Sequence, residues 1–271
     1  MSQGTKKTSL KPLSELTSLK GKRALITGSG SGIGKAIVYR FAEAGADLEL
    51  VDINKKSLDI VKDEMNRFNV DINVHRIDLS KKGDIDDLWK ILNGKEPDIL
   101  VNNAGIYPAK GFLGVDETFL TKVLDTNLNS VFWMCQNMIR SRIKMGGTII
   151  NIGSIEAILP FKEEMSHYDI SKAGIIALSR ALAKEYGKNN FKINVLVPGG
   201  IWTPGTRNIA KEAIKFKFGI VRSGIEYNLR TPLRRLGKPD EIARMALVLA
   251  SDLSSYVHGA LVVDDGGFLS A

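Results

Sequence analysis

The fold is decided by the stretch Thr27-Gly-Ser-Gly-Ser-Gly-Ile-Gly34, which follows directly on the apolar, β-favouring run Arg23–Thr27. After the glycines, apolar side chains recur at helical spacing from Ile33 to Ala44. Glycines between a strand and a helix allow a tight turn, and they let amide groups at the helix N-terminus approach an anion. The pattern therefore predicts a phosphate-binding turn made by Gly28, Ser31, Gly32, Ile33 and Gly34.

The glycines lie at positions 28, 30, 32 and 34, so no register of the turn matches the pattern G-x-G-x-x-G. The strand–turn–helix context nevertheless argues against the alternative, a flexible turn that needs no ligand. The second apolar run ends in Asp52, 18 residues after Gly34. A carboxylate there can bind the two ribose hydroxyls of NAD, and it repels the additional phosphate of NADP. Because Ser31 and Ile53 are not basic, we predict that the cofactor is NAD rather than NADP.

Apolar, β-favouring runs alternate with helical patterns along the chain, and this order predicts a parallel sheet. The strands are predicted at Arg23–Thr27, Asp47–Asp52, Ile72–Leu79, Asp98–Val101, Thr148–Ile152, Lys192–Val197 and Ala260–Val263. The helices are predicted at Ile33–Ala44, Lys55–Phe68, Ile85–Leu92, Asp116–Arg142, Ser166–Tyr186 and Pro239–Ala250. Right-handed crossovers then give an α/β fold: a doubly wound, Rossmann-type parallel sheet of seven strands with helices on both faces, in a single domain.

The composition is that of an ordinary globular protein, with 44% apolar and 25% charged residues in 271 positions. No run of about 18 apolar residues predicts a membrane span. The first residues lack the apolar centre of a secretion signal, and they are expected to form a polar leader. We therefore predict a leader over residues 1–20 and a domain over residues 21–271, with a substrate lid over the irregular residues 203–230.

The formal net charge of +8 leaves nucleic-acid binding open as an alternative. The basic residues are spread along the chain without a recognition-helix or zinc pattern, so we interpret the charge as aiding solubility. The three histidines do not group with cysteine, and no metal site is predicted. The single cysteine, Cys135, favours a cytoplasmic location, and its apolar neighbours indicate a buried, unreactive thiol.

Tyr168 and Lys172 lie four positions apart in a predicted helix, so their side chains share a face. The lysine cation favours the phenolate, and we expect it to lower the tyrosine pKa from about 10 toward neutrality. Such a tyrosine can exchange a proton with a substrate at neutral pH. One pair of this kind is weak evidence alone, since most such pairs lie on the solvent-exposed face of a helix and have no catalytic role. The neighbouring His167 is expected at the pocket rim or surface, without a role in proton transfer.

The residues from Lys20 to Ala271 resemble the short-chain dehydrogenase/reductase family. The resemblance rests on motifs in the family's order, namely Thr27-Gly-x-x-x-Gly-Ile-Gly34, Asn102-Asn-Ala-Gly105, Asn127, Ser154, Tyr168-x-x-x-Lys172, Pro198-Gly199, Arg235-Leu-Gly-Lys-Pro-Asp-Glu-Ile-Ala243 and Val263-Asp-Asp-Gly-Gly267. Tyr168 lies 14 positions after Ser154, one more than is usual in the family. We expect this extra residue to alter the shape of the substrate pocket.

The resemblance implies a role for each catalytic residue. Tyr168 is the implied acid/base, and Ser154 polarises the same substrate oxygen. Lys172 is implied to lower the Tyr168 pKa and to bind the nicotinamide ribose, while Asn127 holds a water that links Lys172 to solvent. Asp78 is implied to meet the adenine ring. The other residues implied to contact the cofactor are Asn103, Ala104, Gly105, Pro198, Gly199, Ile201 and Thr203.

The resemblance thus implies an NAD(H)-dependent oxidoreductase that interconverts a secondary alcohol and a ketone by hydride transfer, acting as a homotetramer. Ser154, Glu156, Tyr168 and Trp202 are expected to contact the substrate. Glu156 could accept hydrogen bonds from a polyol or sugar, and it could equally be a surface residue. A 3-oxoacyl-carrier-protein reductase and a sugar (aldose) 1-dehydrogenase remain open as alternatives. A non-catalytic NAD-sensing protein on the same fold is the alternative from another class.

Overall fold

Parallel strands build one sheet in the computed structural model, which describes residues 10–203 and 227–271. The strands are β1 (Arg23–Thr27), β2 (Asp47–Asp52), β3 (Ile72–Arg76), β4 (Ile99–Asn102), β5 (Gly147–Ile152), β6 (Phe191–Pro198) and β7 (Leu261–Asp264). They lie in the order β3-β2-β1-β4-β5-β6-β7. This order confirms the predicted doubly wound sheet, because the chain runs outward from β1, crosses back to β4 and then continues outward in the other direction.

Helices cover both faces of the sheet. The main helices are α1 (Leu13–Leu16), α2 (Gly32–Glu43), α3 (Lys55–Met65), α4 (Lys82–Ile91), α5 (Glu117–Leu124), α6 (Ser130–Arg142), α7 (Ser166–Tyr186) and α8 (Pro239–Ala250). Apolar residues of α2, α3 and α8 share one buried cluster with Ile26 of β1. Those of α4, α6 and α7 share a second cluster with Leu25. Successive side chains of β1 thus enter opposite cores, which is why the strand is a continuous apolar run.

Several predicted elements have other bounds in the structure; for example, α3 ends at Met65 instead of Phe68, and α4 begins at Lys82 instead of Ile85. The third strand ends at Arg76 instead of Leu79, because Arg76 is paired with Asp52 and β2 ends there. The predicted helix Asp116–Arg142 is interrupted by a π-helical turn, Asp125–Asn129, between α5 and α6. Such turns insert one residue into a helix and are frequent at functional sites.

The residues that precede β1 pack onto the domain. Leu19 is buried, and its amide donates to the Ala44 carbonyl, just after α2, at 2.8 Å. The last residues of the predicted leader therefore contact the core. Residues 1–9 of that leader and residues 204–226 of the predicted lid lie outside the described residues.

The carboxyl ends of β1 and β4 adjoin at the point where the strand order reverses. In open α/β sheets, the crevice at this point is the usual ligand site. The glycine turn follows β1, Asn103 follows β4 and Ser154 comes shortly after β5. One edge of the sheet therefore collects residues that lie far apart in the sequence.

Candidate active site

A cavity of about 740 Å³ lies along the carboxyl edge of the sheet. Ser154 and Glu156 line it. Most residues predicted to bind the cofactor also line it: Gly28, Ser31, Gly32, Ile33, Asp52, Asp78, Asn103, Ala104, Gly105, Tyr168, Lys172, Pro198, Gly199, Ile201 and Thr203. Gly34 and Asn127 are buried and lie outside this lining. The predicted residues thus meet around one continuous space.

The turn after β1 is tied to the end of β4 by hydrogen bonds. The Thr27 hydroxyl oxygen accepts the amide hydrogens of Asn103 and Ala104, each at 3.0 Å. The Asn103 side-chain amide donates to the carbonyls of Thr27 and Gly28, at 2.9 and 3.2 Å. Gly28 has a φ of 63°, and a Cβ on Gly34 would lie 2.1 Å from the Gly28 carbonyl oxygen. Glycine is therefore required at both positions, at the first for its dihedral angle and at the second for the close approach.

The helix α2 begins at the cavity, with Ser31 as its N-cap residue. The Ser31 side chain makes no capping hydrogen bond to the first turn, whose amide groups also have no carbonyl partner within the helix. Amide groups at a helix N-terminus carry partial positive charge and bind phosphate groups. Gly32 and Ile33 line the cavity here, so this part of it fits the pyrophosphate of a dinucleotide.

Asp52 ends β2 beside the glycine turn. One carboxylate oxygen accepts the amide hydrogen of Gly30 at 3.0 Å, and the other accepts that of Asn54 at 2.9 Å. These bonds hold the carboxylate at the cavity wall. Each carboxylate oxygen can accept a further hydrogen bond, so the arrangement also fits a ribose diol.

Asp78 lies in the same part of the cavity, just beyond the end of β3. Its carboxylate accepts hydrogen bonds from the Ser80 hydroxyl at 2.7 Å and the Ser80 amide at 3.1 Å. The bond from the Ser80 hydroxyl is the main reason that the pKa of Asp78 lies below its ordinary value. Asp78 is thus an ionised group held in place at the cavity wall, as its implied role beside the adenine requires.

Tyr168 and Lys172 both line the cavity from α7, as predicted. The Lys172 Nζ lies 5.8 Å from the centre of the Tyr168 ring, and it donates to the Ile152 carbonyl at 2.8 Å. Ser154 follows β5 and lies next to Tyr168. A substrate oxygen near the phenol would therefore meet the Ser154 hydroxyl as well.

The predicted effect of Lys172 on the tyrosine pKa is wrong. Burial raises the pKa of Tyr168 to about 12, against a smaller lowering by the Ser154 hydroxyl. Burial also lowers the pKa of Lys172 to about 8. The low-polarity surroundings disfavour the charged form of each side chain, and the Lys172 ammonium bonds to Ile152 instead of the phenol. Tyr168 therefore keeps its proton at neutral pH, which is the state that can protonate a ketone oxygen.

Asn127 is fully buried in the π-helical turn. Its side-chain oxygen accepts the Ile106 amide hydrogen at 2.8 Å, and its side-chain nitrogen donates to the Ile106 carbonyl at 2.7 Å. The same nitrogen donates to the Ser171 hydroxyl at 3.3 Å, and Ser171 donates to the Tyr168 carbonyl at 2.7 Å. The Asn127 amide thus connects the loop after β4 to the helix that carries Tyr168.

Trp202 was predicted to contact the substrate, but among the described residues it is not part of the cavity lining. Its side chain is 52% exposed. The neighbouring Ile201 forms a β-bridge with Gly237 and is buried at the cavity. Consecutive residues in extended backbone point to opposite sides, so the inward position of Ile201 turns Trp202 outward.

The sequence reasoning missed several contributors to the site. Tyr107 lines the cavity and packs edge-on against Tyr168, with ring centres 6.3 Å apart. His167 is buried rather than at the rim, with its Nε2 2.7 Å from the Pro108 carbonyl oxygen. Both contacts involve the loop after β4. The sequence did contain a signal for them: this loop directly follows the motif Asn102-Asn-Ala-Gly105, so its residues could have been expected near the cofactor.

Cys135 is fully buried, and burial raises the pKa of its thiol to about 12, which confirms the predicted unreactive thiol. Across residues 10–203 and 227–271, no three His, Cys, Asp or Glu side chains group closely enough to hold a metal ion. The same part of the chain contains no helix with the length and apolar character needed to span a membrane.

The cavity suits one extended ligand. Asp52 and the start of α2 fit a ribose and a pyrophosphate, whereas Tyr168, Ser154 and Lys172 lie two to three strands away along the same edge. These features fit a nicotinamide dinucleotide, whose nicotinamide supplies hydride chemistry when it is bound. The phenol of Tyr168 and the hydroxyl of Ser154 are groups that can donate a proton and a hydrogen bond in this part of the cavity.

Comparisons with known proteins agree with this geometry. A family model described as Enoyl-(Acyl carrier protein) reductase matches residues 28–269. The chain is 37% identical to the 3-oxoacyl-[acyl-carrier-protein] reductase FabG of Chlamydia pneumoniae, over 92% of this chain and 97% of the relative. It is 34% identical to the 2-dehydro-3-deoxy-D-gluconate 5-dehydrogenase of Dickeya dadantii, over 93% and 97% of the two chains.

Among solved structures, the chain is similar to the L-sorbose reductase of Gluconobacter frateurii complexed with NADPH and L-sorbose. The TM-score is 0.88 at 29% identity, and the match covers 94% of this chain and 99% of the other. The extent of these matches, together with the cavity and its tyrosine, lysine and serine, shows that this chain belongs to the short-chain dehydrogenase/reductase family of oxidoreductases.

Proposed function

We propose that this chain interconverts a secondary alcohol and a ketone with NAD(H) in preference to NADP(H). The observation that carries the proposal is a single cavity lined by Asp52 and by Tyr168, Ser154 and Lys172. Asp52 supports the choice of cofactor, and the other three support proton transfer at the substrate oxygen. The wider class, an oxidoreductase acting on CH–OH and keto groups, follows from the family.

Ketone reduction needs a proton donor and a group that polarises the carbonyl. In our proposal, Tyr168 donates its proton to the ketone oxygen, and the Ser154 hydroxyl donates a hydrogen bond to the same atom. Lys172, which is held by the Ile152 carbonyl, binds the hydroxyls of the nicotinamide ribose. Alcohol oxidation uses the same contacts in reverse: Tyr168 first gives up its own proton through the Lys172 relay, and the phenolate then accepts the proton of the alcohol.

Tyr168 has to recover its proton from solvent after each reduction. We propose that a water beside Asn127 relays protons between Lys172 and solvent. Both hydrogens of the Asn127 side-chain nitrogen are donated to Ile106 and Ser171, so that water would donate to the second lone pair of the Asn127 side-chain oxygen or to a backbone carbonyl of the π-helical turn. The Asn127 side chain would then position the relay by holding the surrounding loop.

The cofactor preference rests on local chemistry. The Asp52 carboxylate is fixed by Gly30 and Asn54, and a phosphate on the adjacent ribose would be repelled by it. Ser31 and Ile53, which line the cavity beside it, offer no cation to offset that repulsion. The related L-sorbose reductase is complexed with NADPH, so family membership alone does not decide the preference.

Two substrate classes have support from named relatives. The similarity to a 3-oxoacyl-[acyl-carrier-protein] reductase favours an acyl substrate, whereas those to a gluconate-type dehydrogenase and L-sorbose reductase favour a sugar-like one. A non-catalytic NAD sensor would have no need for both Tyr168 and Lys172 in the cavity.

We also propose that the protein is a cytoplasmic homotetramer. Cys135 is a free thiol, which fits a reducing compartment, and apolar side chains on α6 and α7 remain exposed, which fits subunit contacts.

The change Tyr168→Phe tests the proposed acid/base. It removes one hydroxyl while keeping the ring, so turnover of a secondary alcohol should fall by about 10³-fold, with NADH affinity nearly unchanged. Steady-state kinetics and fluorescence titration with NADH measure the two quantities. Tyr256→Phe makes the same chemical change on an exposed tyrosine and should alter neither. Retained turnover in the Tyr168 variant would refute the assignment.

The ratio of kcat/KM with NAD to kcat/KM with NADP tests the role of Asp52. We expect the wild-type ratio to exceed 1 and Asp52→Asn to lower it by about 10-fold, because the amide no longer repels the phosphate. Ser57→Ala, on the first turn of α3 and outside the cavity lining, serves as the control. A wild-type preference for NADP would show that the local charge does not set the choice.

A further inference from the structure

Glu156 is a buried carboxyl group in the reaction cavity. It lies in the short 3-10 turn Ile155–Ala157, two residues after Ser154, and is 4% exposed. Its side chain lines the cavity. One carboxyl oxygen, Oε2, accepts the amide hydrogen of Phe161 at 3.1 Å. This bond holds the carboxyl group in one orientation.

The other oxygen, Oε1, is buried and has no hydrogen-bond partner among the described residues. Buried polar atoms of folded proteins are nearly always bonded, and an unbonded one frequently marks the place of a ligand or water. Burial raises the pKa of Glu156, and the nearby Asp169 acts in the same direction, while Lys162 opposes it. The carboxyl group is therefore costly to the fold unless something in the cavity binds it.

Glu156 also lies close to the reacting groups. Its charge acts on the Tyr168 hydroxyl, and Ser154 Oγ accepts the Glu156 amide hydrogen at 3.2 Å. A substrate whose reacting oxygen sits between Ser154 and Tyr168 has its other substituents in the same cavity, which Glu156 also lines. A hydroxyl group on one of these substituents would give Oε1 a hydrogen-bond partner, whereas a methylene group would not.

We propose that Glu156 binds a hydroxyl group close to the reacting carbon, so that the substrate is a polyhydroxylated compound (a sugar, sugar acid or polyol) and not an acyl chain. This inference rests on the proposed dehydrogenase function and names its substrate class. A hydroxyl group is both donor and acceptor, so it pairs with Oε1 whether or not the carboxyl group carries a proton.

The competing acyl substrate fits this wall poorly. Its methylene groups would leave Oε1 without a partner and would exclude water from it, which is the arrangement that buried carboxyl groups avoid. An amino substrate would satisfy the carboxylate, but Lys162 also lines the cavity and would repel it. Among these classes, a hydroxyl-bearing substrate alone meets both side chains without an unfavourable contact.

The test compares substrates with and without neighbouring hydroxyl groups. The probes are D-gluconate, D-sorbitol and cyclohexanol with NAD, and a 3-oxobutanoyl thioester with NADH. The variants are Glu156→Ala, Glu156→Gln and the control Glu163→Gln. Glu163 is an exposed carboxylate in the same loop and is not part of the cavity lining. Glutamine keeps an oxygen for the Phe161 amide, so this variant preserves the fold of the loop.

Glu156→Ala should lower kcat/KM for the best polyhydroxylated probe by about 10-fold to about 100-fold, while cyclohexanol turnover changes by less than about 3-fold. Glu156→Gln should lose less than the alanine variant, because its amide can still pair with a hydroxyl group. Glu163→Gln should match the wild type with every probe. Activity on D-gluconate but not on D-sorbitol would identify the substrate as a sugar acid. Activity on D-sorbitol but not on D-gluconate would identify it as a neutral polyol.

Equal losses on cyclohexanol and the polyhydroxylated probe would overturn the inference, since a purely structural role of Glu156 gives that result. A higher wild-type kcat/KM for the thioester than for all hydroxylated probes would also overturn it. In both cases turnover persists, and the dehydrogenase function stands. An absence of nicotinamide-coupled turnover with every probe would instead overturn the proposed function together with this inference.

Discussion

At the scale of the residue, Tyr168 and Lys172 show how a buried site sets protonation. Burial raises the pKa of the phenol to about 12 and lowers that of the ammonium to about 8. Both shifts favour the neutral forms, because the surrounding protein solvates a charge on either side chain less well than water does. The charge of Lys172 therefore opposes folding. A residue that destabilises the fold in this way is typical of a functional site.

The prediction at this scale concerns Lys172→Met. The pKa of Lys172 is about 8 in the folded protein, compared with an ordinary value of 10.5, which applies to the unfolded chain. The unfolded chain therefore binds this proton more tightly than the folded protein does, and the charge destabilises the fold at neutral pH. Removing the charge should raise the free energy of unfolding by about 2 kcal/mol at neutral pH, after allowance for the lost bond to Ile152. Turnover should be lost in the same variant.

Urea unfolding measures this increase in the free energy of unfolding. The pH dependence of the increase separates the effect of the lost charge from that of changed packing. The gain should shrink as the pH rises from about 8 to about 10.5, because both states of the wild type then lose the proton. Lys184→Met, on an exposed position of the same helix, should leave stability unchanged. A methionine variant that is less stable than the wild type at neutral pH would contradict the argument.

At the scale of the element, short turns hold the parts of the cavity wall in place. The π-helical turn Asp125–Asn129 places Asn127 between the loop after β4 and α7, and its side-chain amide makes three hydrogen bonds that join them. The glycine turn is similarly fixed by Thr27 and Asn103. The strands supply a rigid frame, and the turns direct specific atoms into the cavity.

Three neighbouring strands are also linked by an ionic cluster away from the cavity. Glu49 of β2, 3% exposed, is bonded to Arg23 of β1 at 2.5 Å and to His75 of β3 at 2.7 Å. Burial alone would raise the pKa of Glu49, but its bonds to His75, Arg23 and Asn73 outweigh this and hold the pKa below its ordinary value. The cluster therefore favours folding when Glu49 is ionised.

We predict that Glu49→Gln lowers the free energy of unfolding at neutral pH by roughly 2 kcal/mol, since Arg23 loses its buried counter-charge. A group with a lowered folded pKa stabilises above its ordinary pKa, here 4.5, and loses that effect as the pH falls through the folded value. The difference between variant and wild type should therefore diminish below about pH 4.5. Denaturant unfolding at several pH values measures it.

Glu64→Gln is the matched control for this cluster. Glu64 is paired with Lys35 at 2.7 Å, but both side chains are largely exposed. Exposed pairs contribute little, so its stability should stay within about 0.5 kcal/mol of the wild type at every pH. A Glu49 variant that behaved like this control would show that the buried cluster does not stabilise the sheet.

At the scale of the whole molecule, the proposed tetramer accounts for apolar side chains that one chain leaves exposed. Ile170 on α7 is 54% exposed, and Phe132 on α6 is also exposed. These helices cover the same face of the sheet, so the two side chains belong to one side of the molecule. Exposed apolar surface of this kind is typical of subunit contacts.

We predict that Ile170→Lys dissociates the tetramer, because it buries an unpaired charge in the proposed contact. Light scattering after size-exclusion chromatography should show a mass near four chains for the wild type and a smaller assembly for the variant. Ile60→Lys is the control: Ile60 lies on α3, on the opposite face, and is 49% exposed. A wild-type protein that elutes as a monomer would contradict the proposed assembly.

The sequence by itself determined the architecture and most of the cavity. Apolar runs of strand length and the glycine turn are local patterns, and residues that end parallel strands must meet at one edge of the sheet. Asp52 could therefore be assigned to the cavity from its place at the end of a strand, whereas Asn103, Ser154 and Tyr168 were assigned to it through the resemblance to the short-chain dehydrogenase/reductase family. The seven parallel strands and the doubly wound arrangement followed from the same alternation.

The tertiary structure alone decided the electrostatics and the direction of individual side chains. Lys172 was expected to acidify Tyr168, yet burial by distant elements outweighs a neighbour four residues away. Trp202 was expected to face the substrate, but the bridge of Ile201 to Gly237 turns it outward. The unbonded oxygen of Glu156 is likewise visible only when the surrounding chain is in place. Desolvation and hydrogen bonding depend on everything that surrounds an atom, and that environment is assembled from residues remote in the sequence.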